Sequence, residues 1–90
     1  YGGEEFVICL PGADISQSGS VAERMRSKIE EMKIMLPDGS QSIRITASFG
    51  TTSFLMDAKE QVDSLIKRAD NALYKAKNEG RNRVCMESRE

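Results

Sequence analysis

The chain of 90 residues contains no histidine and no tryptophan, and it has only two cysteines and two prolines. Without histidine, the Ser-His and Cys-His arrangements of nucleophilic catalysis are excluded. Two distant cysteines in a chain that lacks histidine also exclude a structural zinc site and a disulfide framework. Any metal ion bound by these residues is therefore expected to be a hard cation held by carboxylate oxygens.

Charge of either sign is not in excess, because 13 lysines and arginines face 14 aspartates and glutamates, which gives a net charge of −1. Such a balance provides no general attraction to polyanions. The longest unbroken apolar run covers only residues 6–10, far short of the ~20 residues that a transmembrane helix needs. We therefore expect neither nucleic acid nor a membrane as a partner of this segment.

Cysteine usage and chain length indicate a small cytoplasmic unit. Cys9 and Cys85 each lie in a short apolar run, which favours buried, reduced thiols. The length of 90 residues, with 39% hydrophobic and 30% charged residues, corresponds to one small domain with a modest core. The chain opens at Tyr1 rather than at a methionine and continues straight into two glycines, so we interpret it as a cut inside a larger protein.

Hydrophobic patterning in the first half predicts a strand followed by a helix. Residues 5–10 form a continuous apolar run that a proline ends, which is typical of a buried strand. Apolar residues then recur at steps of three and four over residues 21–36, which predicts an amphipathic helix. Ser18 or Ser20 is expected to cap this helix, and a turn is expected at residues 36–39.

The second half repeats this alternation. Residues 43–54 predict a half-buried strand in which Gly50 permits a bulge or a close approach. Asp57 and Glu60 are spaced as a capping box for a second amphipathic helix that ends near Gly80. A last short strand over residues 83–86 completes the order β-α-β-α-β, which predicts an α/β layered fold with helices covering a sheet.

Two glycines and two carboxylates at the start of the chain form the first place with candidate chemistry. Gly2 and Gly3 permit a tight turn and a close approach of a ligand to the backbone. Glu4 and Glu5 can hold Mg²⁺, which prefers one or two protein carboxylates together with substrate phosphates. In an extended segment the two side chains point to opposite faces. Taken alone, the stretch is more typical of a hairpin turn with a solvated acidic tip.

Two cations at the end of the second helix form the second place. Lys77 and Arg81 are four residues apart, so on a helix they project together and make a phosphate clamp. The alternative is that cations simply favour the negative end of the helix dipole.

Four motifs in this order resemble one known family, the GGDEF family of diguanylate cyclases, in its GGEEF variant. They are YGGEEF at residues 1–6, TASFG at 46–50, ADNALYKAK at 69–77 and GRNRV at 80–84. The resemblance covers the whole chain and implies an α/β (α+β) fold with a nucleotidyl-cyclase, palm-like sheet. It identifies residues 1–90 as the C-terminal half of a single GGDEF domain, without the N-terminal half and its central strand.

The resemblance also implies a reaction, in which two GTP molecules condense to cyclic di-GMP with loss of two pyrophosphates. In the family, two domains face each other as a homodimer, each holding one GTP and Mg²⁺ (or Mn²⁺), and sensor or regulatory domains lie elsewhere in the protein. We expect this segment to be cytoplasmic, whether or not another domain tethers the longer protein to a membrane. This half alone is expected to be inactive, and a catalytically degenerate module for nucleotide binding or protein interaction is the alternative.

Residue roles carried over by position concentrate on the two places already described. Glu4 would be a metal ligand, and Glu5 would lie at the reacting centre, where it assists deprotonation or binds metal. The substrate-binding residues carried over by position are Gly2, Gly3, Lys77 and Arg81. The family's other metal-binding aspartate, its guanine-recognising residues and its Arg-x-x-Asp inhibitory site have no counterpart in this sequence.

Overall fold

The computed structural model describes residues 4–54 and 61–88. Two helices and four short strands follow one another in the described residues, and the predicted mixed α/β class is confirmed. In chain order they are α1 (Ile15–Glu31), β1 (Ile34–Met35), β2 (Ser42–Ile43), β3 (Phe49–Thr51), α2 (Val62–Asn78) and β4 (Val84–Met86).

The centre of the fold is a β-α-β unit made of β3, α2 and β4. The two strands pair in parallel, with Phe49 opposite Val84 and Thr51 opposite Met86. Parallel neighbours require a crossover connection, and α2 lies in that connection. The predicted second helix and the predicted last strand are thus confirmed, with α2 ending at Asn78 and β4 beginning at Val84.

Gly50 allows the backbone of β3 to lie directly against the backbone of α2. A methyl group at this position would collide with the amide nitrogen of Leu73 and the carbonyl oxygen of Ala69. The small side chains of Ala72 and Ala76 are buried on the same helix, 1% and 0% exposed. The predicted close approach at this glycine is therefore confirmed, and it depends on small residues on both elements.

The two helices cover opposite faces of the β3–β4 pair. Successive residues of a strand point to opposite faces, so Gly50 faces α2 while Thr51 faces the other way. Met86, the register partner of Thr51, lies against Gly19 of α1, where a Cβ would come within 2.5 Å of the methionine sulfur. Layers of helix, sheet and helix therefore meet in the described part of the chain.

Helix α1 begins earlier than the sequence predicts. Asp14 is its N-cap and forms a capping box with Gln17: the Asp14 carboxylate accepts from the Gln17 amide at 2.8 Å, and the Gln17 side chain accepts from the Asp14 amide at 2.9 Å. Ser18 is inside the helix and donates to the Ile15 carbonyl at 3.0 Å. The predicted cap at Ser18 or Ser20 is wrong, because an acidic cap with a glutamine three residues later satisfies more backbone groups.

An antiparallel hairpin of β1 and β2 replaces the last turn of the predicted first helix. Ile34 pairs with Ile43, and the Gly39 amide donates to the Leu36 carbonyl at 2.8 Å. Gly39 has a φ of 71°, which glycine adopts without steric cost. The turn predicted at residues 36–39 is confirmed. The single strand predicted over residues 43–54 is wrong, because its start pairs within this hairpin and only β3 joins the parallel sheet.

Residues 5–10 do not form the buried strand that their apolar character predicts. Phe6 is 85% exposed and Ile8 is 58% exposed. No strand lies beside this segment in the part of the chain that the structure describes, so no ladder of hydrogen bonds holds it. Cys9 is exposed as well, which contradicts the predicted buried thiol, whereas Cys85 is half-buried on β4.

The start of α2 differs from the predicted one. Its N-cap is Gln61, which makes no capping hydrogen bond through its side chain. The predicted capping box of Asp57 and Glu60 lies outside the described residues. Within the described ranges, neither helix is long and apolar enough to cross a membrane.

Packing in the described residues rests on small side chains rather than on a large core. The buried apolar residues are Ala22, Ala72 and Ala76. The radius of gyration is 15.1 Å, whereas a compact chain of this length has a value of about 12 Å. Many large apolar side chains consequently remain at the surface. Tertiary packing therefore depends strongly on the close helix–strand contact at Gly50.

Substituting Gly50→Ala is expected to destabilise the protein by about 3 kcal/mol, because the added methyl group meets helix backbone that cannot rotate away. The matched control is Gly12→Ala. Gly12 has open space around it and a φ of 79°, so there the cost is only that of the left-handed backbone, about 1–2 kcal/mol. Urea denaturation measures both changes. Equal losses at the two positions would contradict the proposed packing.

Candidate functional site

The structure brings together the two places that the sequence marks for chemistry. Lys77, in the last turn of α2, donates from Nζ to Oε2 of Glu5 at 3.3 Å, across 72 residues of sequence. Both side chains are roughly one-third exposed, 35% for Lys77 and 37% for Glu5. The acidic segment at the start of the chain and the basic end of α2 therefore meet at an accessible position.

The end of α2 turns sharply and places Arg81 outside the helix. The cap residue is Glu79, whose amide donates to the Lys75 carbonyl, and Gly80 follows with a φ of 124°. The Arg81 amide then donates to the Ala76 carbonyl at 3.0 Å, the hydrogen bond that defines a Schellman motif. Arg81 has a left-handed backbone with a φ of 63° and an exposed side chain.

This geometry corrects one step of the sequence argument. The helix ends at Asn78, so the spacing of Lys77 and Arg81 is not a helical one, and the two side chains do not share a helix face. The physical reason is Gly80, whose left-handed conformation closes the helix before Arg81 is reached. Arg81 instead projects from the turn between α2 and β4.

A group of charged and amide side chains fixes that turn to α1. Arg26 donates to Glu23 at 2.6 Å and to Glu30 at 3.1 Å, and its side chain is only 15% exposed. It also donates to Oδ1 of Asn82 at 2.9 Å, while Nδ2 of Asn82 donates to Glu30 at 2.6 Å. The backbone amide of Asn82 donates to the hydroxyl of Ser48 at 3.1 Å, which extends the group to the segment before β3.

These contacts shift the acid–base equilibria of their members. The hydrogen bond from Asn82, followed by the one from Arg26, lowers the pKa of Glu30 below its ordinary value of 4.5. The hydrogen bond from Arg26 likewise lowers the pKa of Glu23. The two carboxylates raise the pKa of Arg26. The group therefore favours a charged guanidinium between two charged carboxylates.

Sequence reasoning missed the contribution of Asn82 and Arg26. A signal was present, since an asparagine two residues after a helix-ending glycine is a residue type that tolerates the left-handed region. Asn82 has a φ of 49°, as that preference allows. No pattern within the sequence linked Arg26 to this turn, because the contact spans 56 residues and two elements.

The two carboxylates proposed as metal ligands, Glu4 and Glu5, both lie in the described part of the chain. Glu4 is exposed, and Glu5 contacts Lys77. No group of three or more carboxylate or thiol side chains suited to a metal ion occurs among residues 4–54 and 61–88. Gly2 and Gly3 lie outside the described residues. A cation that takes one or two protein carboxylates, and fills its remaining positions from a ligand, does not require such a group.

Comparison with known families identifies the chain. The family model described as "Diguanylate cyclase, GGDEF domain" matches residues 1–83. Diguanylate cyclase A of Treponema denticola is 45% identical over 86 residues, which cover 96% of this chain and 22% of that protein. Diguanylate cyclase DgcM of Escherichia coli K12 is 42% identical over 85 residues, covering 93% of this chain and 19% of that protein. The chain belongs to the GGDEF family and spans about a fifth of the length of these relatives.

Solved structures support the same assignment of fold. The GGDEF domain of DgcB from Caulobacter crescentus, in complex with c-di-GMP, matches with a TM-score of 0.77 at 28% identity. It is matched over 86% of this chain and 43% of its own. The active GGEEF domain of a diguanylate cyclase from Vibrio cholerae matches with a TM-score of 0.66 at 26% identity, over 86% of this chain and 46% of its own. The described elements therefore correspond to rather less than half of these GGDEF-domain structures.

Acidification is expected to weaken the group formed by Arg26, Glu23 and Glu30. Because the folded-state pKa of each carboxyl is lowered, its stabilising effect is complete above pH 4.5 and is lost as the pH falls through the lowered value. Glu30→Gln is therefore expected to reduce the loss of stability between about pH 6 and about pH 3. Urea midpoints at several pH values measure this effect.

The matched control is Glu31→Gln. Glu31 is the neighbouring carboxylate, and it accepts from the Ser27 hydroxyl at 3.2 Å, away from the Arg26 group. This variant is expected to keep more of the acid sensitivity of the unmodified protein. Full acid sensitivity in Glu30→Gln would contradict the role assigned to the group.

Proposed function

We propose that residues 1–90 are the C-terminal half of a GGDEF domain, and that the protein containing them is a diguanylate cyclase. It condenses two GTP molecules to cyclic di-GMP and releases two pyrophosphates. The contact between Glu5 and Lys77 carries the proposal, because it joins the GGEEF segment to a cation at the end of α2. Relatives named diguanylate cyclases support the activity, and the partial match to solved GGDEF domains supports the assignment to half a domain.

Lys77 and Arg81 are the proposed ligands of the terminal phosphates of GTP. A guanidinium presents paired donors to phosphate oxygens, and an ammonium contributes a compact charge. Among the described residues, Lys77 contacts one carboxylate, that of Glu5 at 3.3 Å, and its side chain is partly exposed. A triphosphate carries more negative charge than Glu5, so it competes effectively for this ammonium group. Gly2 and Gly3 are proposed to let the nucleotide lie close to the backbone.

Glu4 and Glu5 are the proposed ligands of Mg²⁺ or Mn²⁺, with Glu5 also placed at the reacting centre. Carboxylate oxygens are suitable donors for these hard cations, and substrate phosphates supply further ligands. When bound, such an ion neutralises triphosphate charge and favours the attacking 3′-alkoxide. Glu5 is proposed to accept a proton or to bind metal at the reacting centre, and its contact with Lys77 supports a place beside the phosphate-binding cation.

A homodimer is the proposed catalytic assembly. The product contains two identical nucleotides, so two GTP molecules must react with each other, and holding them face to face converts an encounter in solution into a positioned reaction. One domain per GTP satisfies this requirement with two copies of the same site. Sensor or regulatory domains are the proposed partners within the longer protein.

The test is conversion of GTP by the full-length protein in the presence of Mg²⁺, with nucleotides separated by ion-exchange chromatography. We expect cyclic di-GMP and pyrophosphate in a 1:2 ratio, as the proposed reaction requires. Titration calorimetry of GTP is run in parallel. GTP binding without turnover would contradict the cyclase activity and identify a degenerate nucleotide-binding module instead.

Lys77→Ala is expected to raise the KM for GTP by about 10- to 100-fold, since a hydrogen bond to a charged group contributes about 1.5–3 kcal/mol. Lys75→Ala is the matched control, because Lys75 is on the same helix, is 64% exposed and pairs with Glu79 at 3.9 Å rather than with the GGEEF segment. Steady-state kinetics of both variants measure the difference. Similar KM values for the two variants would contradict the assignment of Lys77 to the phosphate site.

A further inference from the structure

The turn that carries Arg81 has an unusual backbone that requires support. Three consecutive residues have positive φ angles: 124° at Gly80, 63° at Arg81 and 49° at Asn82. A side chain in the left-handed region is sterically disfavoured, so such a conformation persists only where surrounding contacts determine it. Arg81 itself is held on one side by its amide, which donates to the Ala76 carbonyl at 3.0 Å.

Asn82 provides the support on the other side. Its amide oxygen accepts from Arg26 at 2.9 Å, its amide nitrogen donates to Glu30 at 2.6 Å, and its backbone N–H donates to Ser48 at 3.1 Å. Three hydrogen bonds from two segments, helix α1 and the residues before β3, thereby hold one residue. The contact with Arg26 is largely shielded from water, because the Arg26 side chain is only 15% exposed.

The chemistry of these contacts selects asparagine. The side chain must accept from a guanidinium and at the same time donate to a carboxylate, which an amide does with its two ends. An aspartate of the same shape still accepts from Arg26 but brings a second negative charge against Glu30. Asparagine also tolerates the left-handed conformation better than most residues.

We propose that Asn82 is a positioning residue for the recognition of nucleoside triphosphates. It fixes the backbone of the turn so that the guanidinium of Arg81 is presented to the terminal phosphates. This inference rests on the proposed function, which assigns Arg81 to those phosphates. Asn82 acts through Arg81 rather than by touching the nucleotide, and α1 thereby contributes to the site through Arg26 and Glu30. A side chain that is held in place before binding loses less conformational freedom when it binds.

The test compares Asn82→Asp and Asn82→Gly in the full-length protein, with Asn71→Asp as the matched control. Asn71 is on α2, donates to Glu87 at 3.5 Å and is outside the turn. The glycine variant keeps the backbone freedom of the turn and removes the side-chain amide. The aspartate variant keeps the shape but loses the hydrogen bond to Glu30 and places a second carboxylate against it. The measurements are kcat and KM for GTP, GTP affinity by calorimetry, and amide hydrogen exchange of residues 80–83.

We expect Asn82→Asp to raise both the KM and the Kd for GTP about tenfold, with kcat changed less than about twofold, and Asn82→Gly to have a smaller effect in the same direction. The control is expected to leave these values unchanged. In an Arg81→Ala background, Asn82→Asp should cause no further loss, because residues that act through one contact are not additive.

Four outcomes would overturn the inference. In the first, the fold-changes in KM caused by Asn82→Asp and Arg81→Ala multiply in the double variant, which would show that Asn82 acts independently of Arg81. In the second, Asn82→Asp increases hydrogen exchange of the turn but leaves GTP affinity unchanged, which would show a purely structural role. If the unmodified protein neither binds nor converts GTP, the proposed function fails and the inference fails with it. If the unmodified protein converts GTP, and Asn82→Asp keeps its KM and Kd for GTP, the inference alone is contradicted.

Discussion

The contact of two backbones at Gly50 is the constraint on which the rest of the structure depends. It holds β3 against the middle of α2, where the alanines leave no side chain between the two elements. Because α2 leads directly into the turn and then into β4, the same contact fixes where the helix ends relative to the sheet. Lys77 is in the last turn of that helix. The position of its ammonium group therefore depends on the packing of the middle of α2 against Gly50, more than one turn earlier in the helix.

Two arrangements of charge on this framework differ in what they can do. Arg26 is mostly buried, contacts two carboxylates and an amide, and has few donors left for any other partner. Lys77 contacts Glu5 at 3.3 Å and is partly open to solvent. Partly exposed pairs of this kind contribute little to stability, so exchanging the partner of Lys77 costs little. The first arrangement therefore suits a structural role, and the second suits binding of an anion.

The sequence predicted those features that depend on local patterns. The faces of α2, the turn at residues 36–39 and the glycine at the helix–strand contact follow from periodicity and from backbone preferences. The start of α1 was missed because the capping signal at Asp14 competes with serines that are equally good caps. The contact of Asn82 with Arg26 and that of Lys77 with Glu5 could not be predicted, since each joins residues more than 50 positions apart and depends on how the elements pack.

Residues 5–10 show how a correct pattern can give a wrong local structure. A run that is apolar at successive positions is suited to a strand buried on both faces, because neighbouring side chains point to opposite sides of a sheet. Such a strand requires neighbours on which to form its hydrogen bonds, and none lies beside it in the described residues. Glu5 nevertheless keeps its contact with Lys77. The position of this carboxylate thus depends on α2. The apolar residues that follow it are exposed, and the proposal of half a domain requires such a surface, on which the remainder of a GGDEF domain would pack.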